Sequence, residues 1–117
     1  MNTRSRQLIL DVWLDQPLNQ DVVDAVLQVI RSRTTVLEEL NHNYPVQGQT
    51  QVFILSESHF VFHSYPEHDY FTADLYVCNE TTDLEGVADE ILSRLLVKDF
   101  KREVQWRGLP TGVSPQG

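Results

Sequence analysis

The sequence predicts an α+β protein: a two-layer sandwich with a mostly antiparallel sheet and two helices on one face. Apolar residues follow helical spacing in two stretches, and they alternate or run together in several shorter stretches typical of strands. The resulting order is β-α-β-β-β-β-α-β, which favours two helices packed on a single sheet. The pattern leaves open whether one of the four middle strands continues its neighbour.

The first half of the chain predicts two strands and a helix. Residues 7–14 form the first strand. Apolar residues then recur at helical spacing over residues 21–30, and Asn19 is the expected N-cap. Residues 34–40, which are β-branched at their start, predict the second strand, and residues 41–48 predict a loop because they are rich in turn residues.

The second half predicts four strands and a second helix. The motif from Thr82 to Glu85 fits a capping box, and the helix that it begins should run to about residue 96. We expect a single domain over residues 1–106 and a disordered tail, rich in glycine and proline, over residues 107–117. The four strands are expected over residues 50–55, 59–62, 70–78 and 101–106, with a turn at 65–69.

Composition excludes several classes of protein. The net charge of −8, from 17 acidic and 9 basic residues, argues against nucleic-acid binding, because phosphates require clusters of Lys and Arg. No apolar run approaches the roughly eighteen residues needed to span a bilayer, and the polar N-terminal segment is not typical of a signal peptide. The single cysteine excludes an internal disulfide and favours a cytoplasmic protein.

The predicted sheet has a second face that no helix covers. We expect this face to carry Phe, Val, Tyr and Leu side chains. An apolar sheet face of this kind is usually buried against a partner chain. The sequence therefore predicts a homodimer or a higher homo-oligomer.

The junction between the third and fourth strands has the groups needed for self-cleavage. The hydroxyl of Ser58 can attack the carbonyl of Glu57 in a strained turn and convert the amide to an ester. Removal of the serine α-proton then eliminates the ester, and the dehydroalanine left behind hydrolyses to a pyruvoyl group. That ketone condenses with a primary amine and acts as an electron sink for decarboxylation. A thiol such as Cys78 can protonate the carbanion that results.

These residues resemble the small prokaryotic S-adenosylmethionine decarboxylase proenzymes over roughly residues 7–106. The spacings from the serine match that family without a gap, and the combined motif is more specific than Glu-Ser-His alone. The resemblance is carried by Glu57-Ser58-His59, His63, Pro66-Glu67 and Cys78, and by Tyr44, Gln47 and Gly48 in a loop where His42 occupies the family's histidine position.

The resemblance implies autocatalytic cleavage between Glu57 and Ser58, giving chains 1–57 and 58–117, with Ser58 as the source of the pyruvoyl cofactor. It also implies a small-molecule amine substrate. Neither nucleic acid nor a membrane is implied as a partner. The spacing of the other histidines does not predict a metal site.

The resemblance also implies roles for six further positions. His63 would assist processing with support from Thr50, and Cys78 would be the catalytic proton donor. Taken singly, Cys78 is more often a buried small hydrophobe and His63 a structural hydrogen-bonding group. The substrate-binding residues would be Tyr44 and Tyr65, on either side of the adenine ring, and Glu67 at the ribose hydroxyls.

Departures from the family pattern bear on the substrate. Thr50 stands where the family has a serine, Tyr65 where it has a tryptophan, and Leu14-Asp15 where it has Gly-Cys. We expect S-adenosylmethionine as the substrate. Arginine or ornithine decarboxylation is an alternative, and so is an inactive homologue that serves as a binding or regulatory partner.

Overall fold

The structure, a computed structural model, describes residues 3–115 as one sheet with two α-helices on it. A short 3₁₀ turn, Pro66–His68, lies between the fourth and fifth strands. Along the chain the elements are β1 (Ser5–Leu14), α1 (Gln20–Arg33), β2 (Val36–Asn43), β3 (Gln49–Leu55), β4 (Ser58–Tyr65), β5 (Tyr70–Val77), α2 (Leu84–Ser93) and β6 (Val97–Arg107).

The six strands lie in the order β2-β3-β4-β5-β1-β6, and each neighbouring pair is antiparallel. The predicted fold class is confirmed, and the four middle strands are separate. The strands β2 to β5 follow one another as hairpins. The two helices make the longer connections, α1 from β1 to β2 and α2 from β5 to β6.

One face of the sheet is buried under the helices, and burial alternates from residue to residue along the central strands β4 and β5. On β4, Phe60 and Phe62 are almost completely buried, and they lie opposite Leu75 and Ala73 of β5. In the second of these pairs a large side chain, Phe62, lies opposite a small one, Ala73. The buried residues on the helices are Val22, Val23, Val26, Leu27, Val29 and Ile30 of α1 and Leu84, Val87, Ala88 and Ile91 of α2.

The prediction for the start of α1 is confirmed, whereas that for α2 is wrong by one residue. The Asn19 side chain accepts a hydrogen bond from the Val22 amide at 3.2 Å. At α2 the N-cap is Asp83, not Thr82. The amide of Thr82 donates to the Asn79 side chain at 2.8 Å, which holds Thr82 in the preceding loop. Glu85 therefore does not close a capping box.

Three other boundaries differ from their predicted positions, and strand pairing explains two of them. The strand β2 runs into the predicted loop, to Asn43, because that residue pairs with Gln49. The helix α2 ends at Ser93, before residue 96. The strand β6 begins at Val97, before residue 101, because Val97 pairs with Leu14.

Beyond β6 the chain is held at one point and then turns. The hydroxyl of Thr3 donates to the Gly108 carbonyl at 2.7 Å, and the Val113 amide donates to the Pro110 carbonyl at 3.0 Å. Residues 116 and 117 of the predicted tail lie outside the described residues, as do residues 1 and 2 of the N-terminal segment. The disorder of the tail stays a prediction.

The helices of residues 3–115 are 14 and 10 residues long, and neither is long and apolar enough to cross a bilayer.

The face of the sheet turned away from the helices is called the open face below. It is less apolar than expected, because the Phe side chains of β3, β4 and β5 are buried on the helix side. Aromatic, branched and charged side chains alternate there instead. The open face includes Ile9, Asp11 and Trp13 of β1, His59, Val61, His63 and Tyr65 of β4, and Tyr70, Thr72, Asp74 and Tyr76 of β5.

The buried position of Phe62 predicts a large loss of stability on truncation. Its ring lies 5.2 Å from that of Phe71, and its side chain is fully buried. We expect Phe62→Ala to lower the free energy of unfolding by about 3–5 kcal/mol, because it leaves a cavity in the core. Urea denaturation in a Ser58→Ala background, where the chain should stay whole, measures this. The control, Val46→Ala at a position that is 91% exposed, should change it by less than about 0.5 kcal/mol. An equal loss of unfolding free energy in both variants would contradict the burial of Phe62.

Candidate active site

The turn between β3 and β4 places backbone strain beside the predicted cleavage point. Leu55 pairs with Ser58, so that Ser56 and Glu57 form a two-residue turn. The φ angle of Glu57 is +60°, in the left-handed region that costs a residue with a side chain about 1–2 kcal/mol. Attack of Ser58 on the preceding carbonyl needs a strained turn, and the backbone before the Glu57–Ser58 peptide is strained.

Ser58 is held from the neighbouring strand. Its Oγ accepts a hydrogen bond from the backbone N–H of Cys78 at 3.2 Å. Cys78 is the first residue after β5, and it is exposed. The bond occupies a lone pair of the serine oxygen and leaves the hydroxyl proton available to a base. The structure therefore brings together three of the predicted residues, Glu57, Ser58 and Cys78.

Ser58 also lies in the wall of a small polar cavity of about 200 Å³. The cavity opens where the connections at one end of the sheet meet. Its lining consists of Arg33, Thr34 and Thr35 at the end of α1 and just after it, Leu55, Ser56 and Ser58 at the turn, and Val77, Asn79, Thr81 and Thr82 at the end of β5 and just after it. Hydroxyl and amide groups dominate this lining.

A second group of predicted residues surrounds His63. Its Nδ1 lies 2.9 Å from the hydroxyl oxygen of Thr50, which is its partner in the β3–β4 register. The hydroxyl of Tyr44 lies 2.9 Å from the same oxygen. The Tyr65 ring is 4.6 Å from the imidazole. Thr50 bridges Tyr44 and His63, so a hydroxyl at this position can fix the imidazole.

Two aromatic residues that the sequence analysis did not assign to the site extend this group. The ring of Tyr70 stacks on that of Tyr65 at 5.3 Å, and Trp13 stacks on Tyr70 at 4.9 Å. Their juxtaposition depends on the β1–β5 register, in which Trp13 lies opposite Tyr70, and the sequence alone does not reveal that register.

The structure does not bring His63 to Ser58 within one chain. Ser58 begins β4, and His63 lies five residues further along it. At about 3.3 Å per residue the separation is about 16 Å. An odd separation also places two residues on opposite faces of a strand. The candidate site is thus divided into a cleavage group (Glu57, Ser58, Cys78) and a histidine group (Tyr44, Thr50, His63, Tyr65).

Glu67 lies in the 3₁₀ turn that follows β4, two residues after Tyr65. It is therefore at the histidine-group end of the strand, and its side chain is exposed. Among residues 3–115, no three His, Cys, Asp or Glu side chains are arranged to hold a metal ion.

Carboxylates lie near the centre of the open face. Burial raises the pKa of Asp74, and the negative charge of Asp11 raises it further, while His59 acts in the opposite direction. Burial also raises the pKa of the Tyr70 phenol, with a further contribution from Asp11. Because the pKa of Asp74 is raised on folding, its ionisation weakens the fold as the pH rises above the usual range of an aspartate.

Comparisons with known proteins agree with the motif. The sequence model of the S-adenosylmethionine decarboxylase family matches residues 11–108. The S-adenosylmethionine decarboxylase proenzyme of Shouchella clausii is 32% identical over 120 residues, covering 98% of this chain and 90% of that protein. The proenzyme of Bacillus cytotoxicus is 36% identical over 106 residues, covering 84% of this chain and 79% of that protein.

A solved structure shares the fold. The crystal structure of the adenosylmethionine decarboxylase from Aquifex aeolicus VF5 superposes with a TM-score of 0.72 at 21% identity. The superposition covers 97% of this chain and 98% of that one.

Proposed function

This chain belongs to the S-adenosylmethionine decarboxylase family, and we propose that it is a self-processing decarboxylase of S-adenosylmethionine. The observation that carries the proposal is the strained Glu57 followed by Ser58, whose Oγ is bound by the Cys78 amide. The relatives' name, proenzyme, supports a processing step before activity. The same name favours S-adenosylmethionine over arginine or ornithine, and favours an enzyme over an inactive partner.

Self-cleavage would begin at the Glu57–Ser58 peptide. The Ser58 Oγ bonds to the carbonyl carbon, the C–N bond breaks, and the hydroxyl proton passes to the serine nitrogen. Release of the left-handed Glu57 conformation favours this step. A base then removes the Ser58 α-proton, and the ester C–O bond breaks to give Glu57 a free carboxylate. Water replaces the nitrogen, which leaves as ammonia, and residue 58 becomes the pyruvoyl group.

The base would come from a second copy of the chain. His63, held by Thr50 at 2.9 Å, is the basic group that the sequence analysis assigned to processing. Within one chain it lies about 16 Å along β4 from Ser58. In a homodimer that packs the open face of one copy against the end of the other sheet that carries the β3–β4 turn, the histidine group of one copy would reach the cleavage group of the other. The pairing is isologous, so two equivalent sites form.

Substrate binding is proposed for the histidine group. The rings of Tyr44 and Tyr65 lie 5.7 and 4.6 Å from the His63 ring and offer faces on which an adenine can stack. Glu67 is exposed beyond the same end of β4, and we assign it to the ribose hydroxyls of the substrate. The net charge of −8 suits a sulfonium cation.

Cys78 is proposed to protonate the product. The pyruvoyl group supplies a ketone that takes up the substrate amine and draws electrons from the bond to the carboxylate. The Cys78 backbone already contacts residue 58, and its thiol is exposed, so it can deliver a proton at the reacting carbon. The Cys78 thiol has to stay reduced to donate a proton, and thiols stay reduced in the cytoplasm. We therefore propose that the protein is cytoplasmic.

Cleavage is the first test. We expect the purified protein to contain two chains, residues 1–57 and 58–117, and Ser58→Ala to remain whole because it lacks the nucleophile. Intact mass spectrometry measures both, and it should detect a blocked, ketone-bearing N-terminus on the longer chain. Ser56→Ala, one turn residue away, is the control and should still cleave. A wild-type chain that stays whole after long incubation would refute the proposal.

Complementation tests the shared site. Ser58→Ala and His63→Ala should each fail to cleave alone, because one lacks the nucleophile and the other the base. When the two are produced together, mixed dimers contain one intact site. About half of the His63→Ala chains should then be cleaved if pairing is random, and none of the Ser58→Ala chains. If the two variants carry different tags, mass spectrometry shows which of the two chains has been cleaved. No cleavage in the mixture, with dimers present, would contradict a shared site.

Cys78→Ala separates processing from turnover. The variant keeps the backbone amide, so it should still cleave. Its release of carbon dioxide from S-adenosylmethionine should fall by about 10²-fold or more, because the proton donor is gone. Arginine and ornithine serve as control substrates and should release none. Full turnover in the variant would remove the thiol from the mechanism.

A further inference from the structure

The segment that supplies the Cys78 amide has its own internal support. After β5 the chain turns through residues 78–82 toward the N-cap of α2. The Asn79 side-chain oxygen accepts from the amides of Thr81 and Thr82, at 3.1 and 2.8 Å. This Asx turn gives the segment its shape. It does not attach the segment to the sheet.

Arg6 makes that attachment. A single terminal nitrogen, Nη2, donates to the carbonyl of Asn79 at 3.1 Å and to the carbonyl of Thr82 at 3.0 Å. Arg6 lies on β1 opposite Val77, the last residue of β5. Its two N–H groups therefore hold the beginning and the end of the turn against the strand next to β5.

We propose that Arg6 is a positioning residue for self-cleavage. It fixes the 78–82 segment so that the Cys78 amide points at the Ser58 hydroxyl. The inference rests on the proposed function, since it concerns the rate of the proposed cleavage. Arg6 acts through the backbone of residues 78–82 and does not touch the reacting atoms.

The position of the Cys78 amide matters because the self-cleavage reaction places negative charge on the Ser58 oxygen. As the hydroxyl proton leaves Ser58, negative charge develops on Oγ, and the Cys78 N–H stabilises that charge where it forms. The same bond limits the rotation of the serine side chain. Displacement of a catalytic group by about 1 Å can cost about 10²-fold in rate. Without the two Arg6 bonds the segment is held less firmly in the position that the chemistry needs.

Substitution of Arg6 should therefore slow cleavage. In a time course of the full chain after cell-free synthesis, Arg6→Met should cleave about tenfold or more slowly, which corresponds to about 1.4 kcal/mol in the barrier. Arg6→Lys keeps the charge and enough N–H groups for both carbonyls, and should remain within about threefold of the wild-type rate. Arg107→Met is the matched control. Arg107 also donates a bond, to the Gln7 side chain at 3.2 Å, and its loss should leave the rate unchanged.

Hydrogen exchange distinguishes positioning from general stability. In a Ser58→Ala background, Arg6→Met should speed exchange at the amides of Thr81 and Thr82, which donate to Asn79, and leave the β3–β4 amides unchanged. If Arg6→Met does not fold, Arg6→Gln takes its place, since Gln is too short to reach both carbonyls. Exchange that rises equally across the sheet would overturn the proposal.

The remaining outcomes are decisive as well. Cleavage of Arg6→Met within about twofold of the wild-type rate overturns the inference and leaves the proposed function intact. The inference is also overturned if Arg6→Lys cleaves as slowly as Arg6→Met, or if Arg107→Met loses as much cleavage rate as Arg6→Met. A wild-type chain that never cleaves overturns the inference together with the proposed function.

Discussion

The pairing of β4 with its two neighbours fixes both groups of the candidate site. The register against β3 sets Thr50 opposite His63, and the place of β4 beside β5 brings Ser58 to the Cys78 amide. A slip of one residue would turn Phe60 and Phe62 out of the core. Each buried phenylalanine is worth about 1.5–3 kcal/mol, so the core enforces the register on which the chemistry depends.

The fold could be predicted because apolar residues recur at regular spacings in its strands and helices. The alternation in β4 and β5 and the helical spacing in α1 were sufficient to assign the layers. The cap of α2 was missed because the Asn79 side chain takes the Thr82 amide, which a capping box would use. Local spacing cannot reveal such competition.

The candidate site could be predicted in part. The motif predicted which residues belong to the site. Their division into two groups results from the length of extended strand between Ser58 and His63. Five residues of strand separate Ser58 from His63, and this could have been derived from the predicted strands. Arg6 could not have been found, because its partners are backbone carbonyls 73 and 76 residues away. A contact of that kind leaves no pattern in the sequence.

Cleavage at the β3–β4 turn would change how the protein is held together. Chain 1–57 would contain β1, and chain 58–117 would contain both strands that pair with it, β5 and β6. The two products would be interleaved, with one strand of the first lying inside the sheet of the second. Separating them requires the sheet to open on both sides of β1 and between β3 and β4. Refolding of the separated chains would then be a reaction between two molecules, so the lifetime of the mature protein would be set by its unfolding rate.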